Sequence, residues 1–321
     1  MNAVPITFNK CAAIEDDYYM FASKPNNIDD SSEFTRIFYF DDQAPGNKWR
    51  HSDIPYFSTV SLCVVKTALG SQRRYAALSK NGDISYYWPG GQVTESIVDA
   101  GLKKDAPIYG YLNALKEIDG CLYACGGGGQ IYLRDANQWH DISSELRRPA
   151  TTVKPNLAIN QCNIGDDISD IDGYSVKDLY AVGRNRIYHY NDHSWEECQV
   201  FTDEILMSVI CASNGVIWAC RFNGAIMRGN ATSGFEDVSH YDDNMILAKM
   251  AFFRENLYFA SNEGLLFLDC ANEKSRLQKI GEIVECEDIS VFGDTLLCIG
   301  PKSINILDKN GWKELKHPDN S

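Results

Sequence analysis

No stretch of this chain approaches the ~18 consecutive apolar residues that span a membrane, and Met1 to Lys10 contains no basic region followed by an apolar run. The expectation is a soluble protein, made without a secretion signal and kept in the cytoplasm. Catalytic signatures are missing as well. There is no Gly-x-Ser-x-Gly nucleophile elbow and no His-Glu-x-x-His helix, and no Asp box of the Ser-x-Asp-x-Gly-x-Thr-Trp type that a sialidase would carry. Basic residues are in short supply: 30 Lys and Arg stand against 44 Asp and Glu, a net charge of −14. Such a chain repels phosphate backbones and anionic lipid surfaces, so neither nucleic acid nor a membrane is expected as a partner. The same charge would speed encounter with a basic protein, although acidity also serves plain solubility.

The 11 cysteines are an odd number. Most sit among apolar neighbours with strand character, as at Cys63, Cys121, Cys125, Cys211, Cys220, Cys286 and Cys298. Buried thiols in a reducing compartment explain this better than a disulfide framework. With 44% hydrophobic and 12% aromatic residues over 321 positions, the chain has ample material for a core.

What the sequence does contain is a repeat. Cys121-Leu-Tyr-Ala-Cys-Gly126, Gln130-Ile-Tyr-Leu-Arg134 and Trp139 match Leu179-Tyr-Ala-Val-Gly183, Arg186-Ile-Tyr-His-Tyr190 and Trp195. Further copies lie at Val216 to Phe235, Leu257 to Leu268, Thr295 to Trp312 and Arg74 to Tyr87, and the most divergent at Tyr18 to Trp49. That makes seven. Tyr180, Trp218, Tyr258 and Leu297 are spaced by 38, 40 and 39 residues, a period that marks propeller blades.

Each unit parses into four strands, a to d. Strand b is apolar on both faces: Leu179 and Ala181 point one way, Tyr180 and Val182 the other, as a sheet covered on both sides requires. Strands b and c are joined by turns that tolerate positive φ, such as Asn81-Gly82, Asn223-Gly224 and Glu263-Gly264. Strand d opens on a bulky residue after an Asp or Asn turn, as in Asp135 to Trp139, Asn191 to Trp195 and Asp308 to Trp312. The fold class is therefore all-β, a seven-bladed propeller of four-stranded antiparallel blades. Residues 1–321 are expected to form one domain, with blades over 5–53, 57–98, 110–146, 166–202, 204–240, 245–280 and 283–317. Strand a of blade 1, Pro5 to Ile14, and strand d of blade 7, Trp312 to Lys316, are each complete, so closure without an exchanged strand is expected.

The Leu-Tyr-Ala-Val-Gly, Ile-Tyr-x-Tyr and Trp cadence resembles a broad bacterial propeller group that includes photosystem II assembly factor-like repeats. The resemblance covers nearly the whole chain and implies an architecture. It carries no functional residue across. The repeats depart from the WD type in lacking Gly-His and Trp-Asp dipeptides, and from kelch in lacking a Gly-Gly pair at strand b of most blades.

Three features have the residue types of a chemical site but not its spacing or context. Gly126 to Gly129 neither opens a helix nor precedes Lys and Ser or Thr, so a hairpin turn is favoured over a phosphate loop. Cys121 and Cys125 share a strand face, yet the six histidines offer no second ligand pair for zinc. His189 and His193 fall on a strand and the turn after it, so they are not a helical metal pair. No catalytic residue, metal or cofactor is expected.

Length breaks are more informative. In a propeller the b-to-c turns and the d-to-a connectors open on the same face, and three large insertions fall there: Pro25 to Glu33, Asp99 to Tyr109 and Arg147 to Ile164. Long loops on a rigid scaffold are favoured places for function. Residues in these classes supply a candidate partner-binding set: Asp29, Asp30, Tyr56 and Phe57; Arg147, Arg148 and Arg184; Arg221 and Phe222; Asp242 and Asp243. Such a mixture has the composition of a protein interface. The leading expectation is a non-catalytic binding propeller, in its sharpest form an immunity or inhibitor protein that neutralises a basic toxin or effector, or else an adaptor. The alternative is a carbohydrate-active or sugar-binding propeller with its site at the top of the central channel.

Overall fold

The structure is a computed structural model and describes residues 4–103, 107–135, 138–148, 167–200, 204–239, 244–272 and 274–320. It is an all-β, seven-bladed propeller in which every blade is a four-stranded antiparallel sheet with its strands in chain order. Blade 1 consists of β1 (Ile6–Glu15), β2 (Tyr18–Pro25), β3 (Phe34–Asp41) and β4 (Trp49–Pro55), and blade 2 of β5 (Thr59–Val65), β6 (Arg74–Ser79), β7 (Asp83–Trp88) and β8 (Gly91–Ser96). Blade 3 has β9 (Leu112–Ile118), β10 (Cys121–Gly126), β11 (Gln130–Arg134) and β12 (Trp139–Asp141), and blade 4 has β13 (Asp170–Ser175), β14 (Asp178–Gly183), β15 (Arg186–Tyr190) and β16 (Trp195–Glu197). Blade 5 runs through β17 (Leu206–Cys211), β18 (Ile217–Arg221), β19 (Ile226–Asn230) and β20 (Gly234–Asp237), and blade 6 through β21 (Leu247–Phe253), β22 (Asn256–Ser261), β23 (Gly264–Leu268) and β24 (Gln278–Lys279). Blade 7 comprises β25 (Asp288–Phe292), β26 (Thr295–Ile299), β27 (Ile304–Asp308) and β28 (Gly311–Glu314).

Two compact units emerge, Met1–Leu62 with His240–Ser321, and Cys63–Ser239. The first holds blades 1, 6 and 7 and the second blades 3, 4 and 5, while β5 spans the division in sequence.

The alternation read from strand b is what joins neighbouring blades. Leu179 and Ala181 pack with Tyr123, Cys125 and Ile131 of blade 3. From the same strand, Tyr180 and Val182 pack with Val209, Ile217 and Ala219 of blade 5. Burying each such Leu, Ile or Val contributes about 1.5–3 kcal/mol, so one strand anchors two interfaces. Blades 7 and 1 meet in the same way, with Leu297, Ile299, Ile304 and Ile306 against Ile6, Phe8 and Phe21. No strand is exchanged between them, since each sheet is built from its own four strands.

A second device joins blades through strand a, and it is polar. In blade 4, the buried Asp170 lies 3.4 Å from Lys116 Nζ of blade 3 and accepts from Ser208 Oγ (3.0 Å) and Val209 N–H (3.2 Å) of blade 5. Asp172 accepts from Cys211 N–H at 3.0 Å. Blade 7 repeats the arrangement. Asp288 lies 3.1 Å from Lys249 Nζ of blade 6 and accepts from Cys11 N–H of blade 1 at 2.8 Å, while Ser290 takes the place of Asp172 and accepts from Ala13 N–H at 3.0 Å. Burial pushes the Asp172 carboxyl above the usual range against the pull of Lys116. Burial also draws the Lys116 ammonium down, but Asp170 and Asp172 more than reverse this and hold it above its ordinary value. Each carboxylate thus answers one cation and satisfies backbone donors of the next blade.

Candidate interaction face

Backbone hydrogen bonds put the b-to-c turns and the d-to-a connectors at the same edge of the blades. Leu112 N–H donates to Lys80 O, Ile168 N–H to Gly126 O, and Leu206 N–H to Arg184 O in the second unit. In the first, Phe8 N–H donates to Pro301 O and Leu265 N–H to Ile283 O. Each ties a b-to-c turn, or the strand residue beside it, to a connector or to strand a of the neighbouring blade.

The glycine run shows why this edge is tightly built. Gly127–Gly129 form one 3-10 turn, with Gly128 at φ +66° and Gly129 at φ +75°. A Cβ on Gly128 would lie 2.6 Å from Tyr109 O, and one on Gly129 would lie 2.1 Å from Leu146 O. The glycines let the turn pass between two connectors, as close backbone approach requires. Gly128 N–H already donates to Asp167 Oδ1 at 3.0 Å, which leaves a carboxylate where a phosphate would have to sit.

The predicted partner-binding residues divide by exposure. Asp29 and Asp30 are exposed in the β2–β3 loop, where Lys24 Nζ donates to the carbonyls of Asp29 and Asp30. Tyr56 is 88% exposed in the β4–β5 connector and adopts φ +57°. That conformation is rare for an aromatic residue, and such outliers cluster at ligand-binding positions. Arg184 is exposed in the β14–β15 turn, while Arg148 and Phe222 are partly buried. Asp242 and Asp243 lie outside the described residues, as does most of the Arg147 to Ile164 insertion.

Two of the expected rim residues, Phe57 and Arg221, are buried and a third, Arg147, is largely covered, which corrects the reading of them as exposed side chains. Phe57 is 4% exposed, and its carbonyl accepts from Thr35 Oγ1 at 2.8 Å. Arg147 lies over the rings of Tyr109 (4.4 Å) and Tyr132 (5.1 Å) and pairs with Asp141 at 2.7 Å. Arg221 ends β18 with a side chain only 4% exposed, 3.8 Å from Asp237. Loop position suggested exposure; the guanidinium planes instead stack on aromatic rings or face carboxylates, which makes part-burial tolerable.

Other side chains mark this edge more clearly. Among the described residues seven large hydrophobic side chains are exposed, and five of them, Tyr56, Val98, Tyr111, Ile205 and Val284, stand on d-to-a connectors. Carboxylates adjoin three of these: Val98-Asp99, Glu204-Ile205 and Val284-Glu285. A lone apolar residue inside an acidic connector was the available signal, and inserted length masked it.

The thiols and histidines read as metal candidates are engaged elsewhere. Cys125 is buried, and burial pushes its thiol well above the usual range; the Cys121 thiol is raised for the same reason. His189 Nε2 hydrogen-bonds Asp178 Oδ1 at 2.8 Å. All ten cysteines among the described residues are free thiols.

No protein-family model matches the chain. Among curated proteins it is similar to the immune protein Tsi7 of Pseudomonas aeruginosa, with 27% identity over 208 residues. The match spans 64% of this chain and 64% of that protein, under two thirds of its length. Among solved structures it is similar to YCF48, a photosystem II assembly factor, in a complex with D1 peptide (TM-score 0.62, 14% identity, 95% of this chain and 92% of that one). It is also similar to the WD40 propeller domain of Doa1 (TM-score 0.63, 9% identity, 100% and 96% covered). At such identities these likenesses speak for the propeller architecture, in agreement with the resemblance carried by the repeats.

Proposed function

We propose that this chain is a cytoplasmic immunity protein, a non-catalytic propeller that neutralises a protein toxin by holding it on the edge formed by the b-to-c turns and d-to-a connectors. The observation that carries the reading is the placement of five exposed apolar side chains on the connectors, together with the likeness to an immune protein. Exposed apolar groups beside carboxylates suit a partner that presents both apolar and basic side chains. The net charge of −14 favours rapid encounter with such a partner.

The test is genetic and then biophysical. Genes flanking this one are expressed singly in a heterologous host, and a product that arrests growth is paired with this chain. Relief of arrest and formation of a complex are expected. Tyr56→Ser or Val98→Asp should then remove a contact worth about 2 kcal/mol or more, whereas Tyr174→Ser, near the end of β13 beside the turn between strands a and b, should leave binding intact. Loss of binding on Tyr174→Ser with none on the connector variants would place the face wrongly, and no arresting neighbour would count against the toxin.

A further inference from the structure

Three clefts recur at one place in the blade, where strands c and d meet the connector that leaves the preceding blade. They measure about 350 Å3 at blade 3, 340 Å3 at blade 4 and 390 Å3 at blade 7. Strand pairing makes them superposable in register. Tyr132 pairs with Asp141, Tyr188 with Glu197, and Asn305 with Glu314, so these three carboxylates are equivalent. In each blade a tryptophan two residues earlier pairs with strand c: Trp139, Trp195 and Trp312.

The blade 3 and blade 4 clefts hold their own arginines. Arg147 Nη1 lies 2.7 Å from Asp141, and Arg134 Nε donates to Glu95 at 2.8 Å. Arg186 bonds Glu197. In blade 7 the position of Arg134 is occupied by Leu307 and that of Arg186 by Ser303. The connector there brings more acid, with exposed Glu282 and Glu285 flanking Val284, itself 73% exposed. The cations at hand are Lys313, which pairs with Asp308 at 3.0 Å, and Lys316, which lies 3.7 Å from Glu314 with both side chains exposed.

We propose that the blade 7 cleft takes an arginine side chain from a protein partner, seated between Trp312 and the carboxylates of Glu282, Glu285 and Glu314. The proposal rests on reading this edge as a partner-binding surface and names what the partner presents to it. Arginine fits better than lysine because a planar guanidinium both stacks on an indole and forks to carboxylates. The sister clefts already meet that need from within the chain.

The probe is an acetylated, amidated Gly-Gly-Arg-Gly-Gly peptide, beside the same peptide with neutral citrulline, titrated into the full chain while the Trp312 indole N–H resonance is followed. The arginine peptide should shift that resonance saturably. The citrulline peptide, and the arginine peptide with the Glu282→Gln/Glu285→Gln double variant, should each bind at least about tenfold more weakly, the loss expected for charge-assisted hydrogen bonds. Both glutamates are exposed, so the double variant should keep the wild-type Tm. A Trp312 resonance that does not move, or equal binding of arginine and citrulline peptides, would overturn the proposal. Should that occur while the toxin partner still binds and is still released by Tyr56→Ser, the arginine seat fails and the proposed function stands.

Discussion

Lowering the pH should loosen the tail through one imidazole. His317 is 4% exposed, with its ring 4.4 Å from that of Trp49, 4.4 Å from Phe38 and 5.8 Å from Phe8. Its Nδ1 accepts from Asp319 N–H at 3.1 Å, a bond only the deprotonated nitrogen can make. Burial pulls its pKa from 6.5 to about 4, with Asp319 opposing and His51 and Arg36 assisting. The depressed value means the unfolded chain binds the proton more readily. The contribution is therefore complete above about pH 6.5 and is lost as pH falls towards 4, because protonation favours unfolding. At 1.36 kcal/mol per unit, the full effect is about 3 kcal/mol, with about 1.4 kcal/mol gone by pH 5.5. Carboxylates also titrate at the acid end, so the assay compares wild type with His317→Phe in urea unfolding at a series of pH values. The variant keeps a ring in the cage and loses the proton. The stability difference should drift in the variant's favour by about 3 kcal/mol between pH 7.5 and 3.5. A difference that stays flat across that window would refute the buried, neutral imidazole.

Three further outcomes are expected. Asp170→Ala removes the nearer of the two carboxylates facing Lys116, leaving Asp172 at 3.8 Å, and takes the acceptor from Val209 N–H, so it should cost about 1–3 kcal/mol in urea unfolding; a cost near zero would show that water replaces the carboxylate freely. Arg184→Ala should leave stability within about 0.5 kcal/mol, while Arg221→Ala, at a buried strand end, should cost more than about 1 kcal/mol. Finally, Cys125 and Cys220, whose thiols burial pushes up, should resist alkylation at neutral pH until the chain is unfolded; rapid labelling of native protein, read by mass spectrometry, would contradict this burial.

The repeat announced the strands because propeller blades impose the same demand seven times. Strand b must be apolar on both faces, the b-to-c turn needs positive φ, and strand d needs a bulky anchor. Trp195 meets the last demand by donating its Nε1–H to Ile142 O of the preceding blade at 2.8 Å. Side-chain fate in the connectors was far less legible. Arg147 and Arg221 read as exposed because they sit in or beside loops, yet what covers Arg147 are Tyr109, Tyr132 and Asp141, brought there by three different segments. The roles of Asp170 and Asp288 are hidden in the sequence for a related reason. Each lies among other acidic residues, Asp166, Asp167 and Asp172 around the first and Glu285 and Glu287 before the second, and only pairing with the next blade's backbone sets it apart from them.

Those two aspartates change what one blade means to its neighbours. In a simple solenoid each repeat feels only the ones beside it, and stability adds as a chain of pairwise terms. Here the cation comes from one blade, the carboxylate from the next and the backbone donor from the one after, so Lys116, Asp170 and Val209 bind three blades in a single contact. Excising blade 4 would strand a lysine in blade 3 and an amide in blade 5 together. Loss of blade 4 would therefore disturb both of its neighbours at once, and the unfolding of blades 3, 4 and 5 should be coupled.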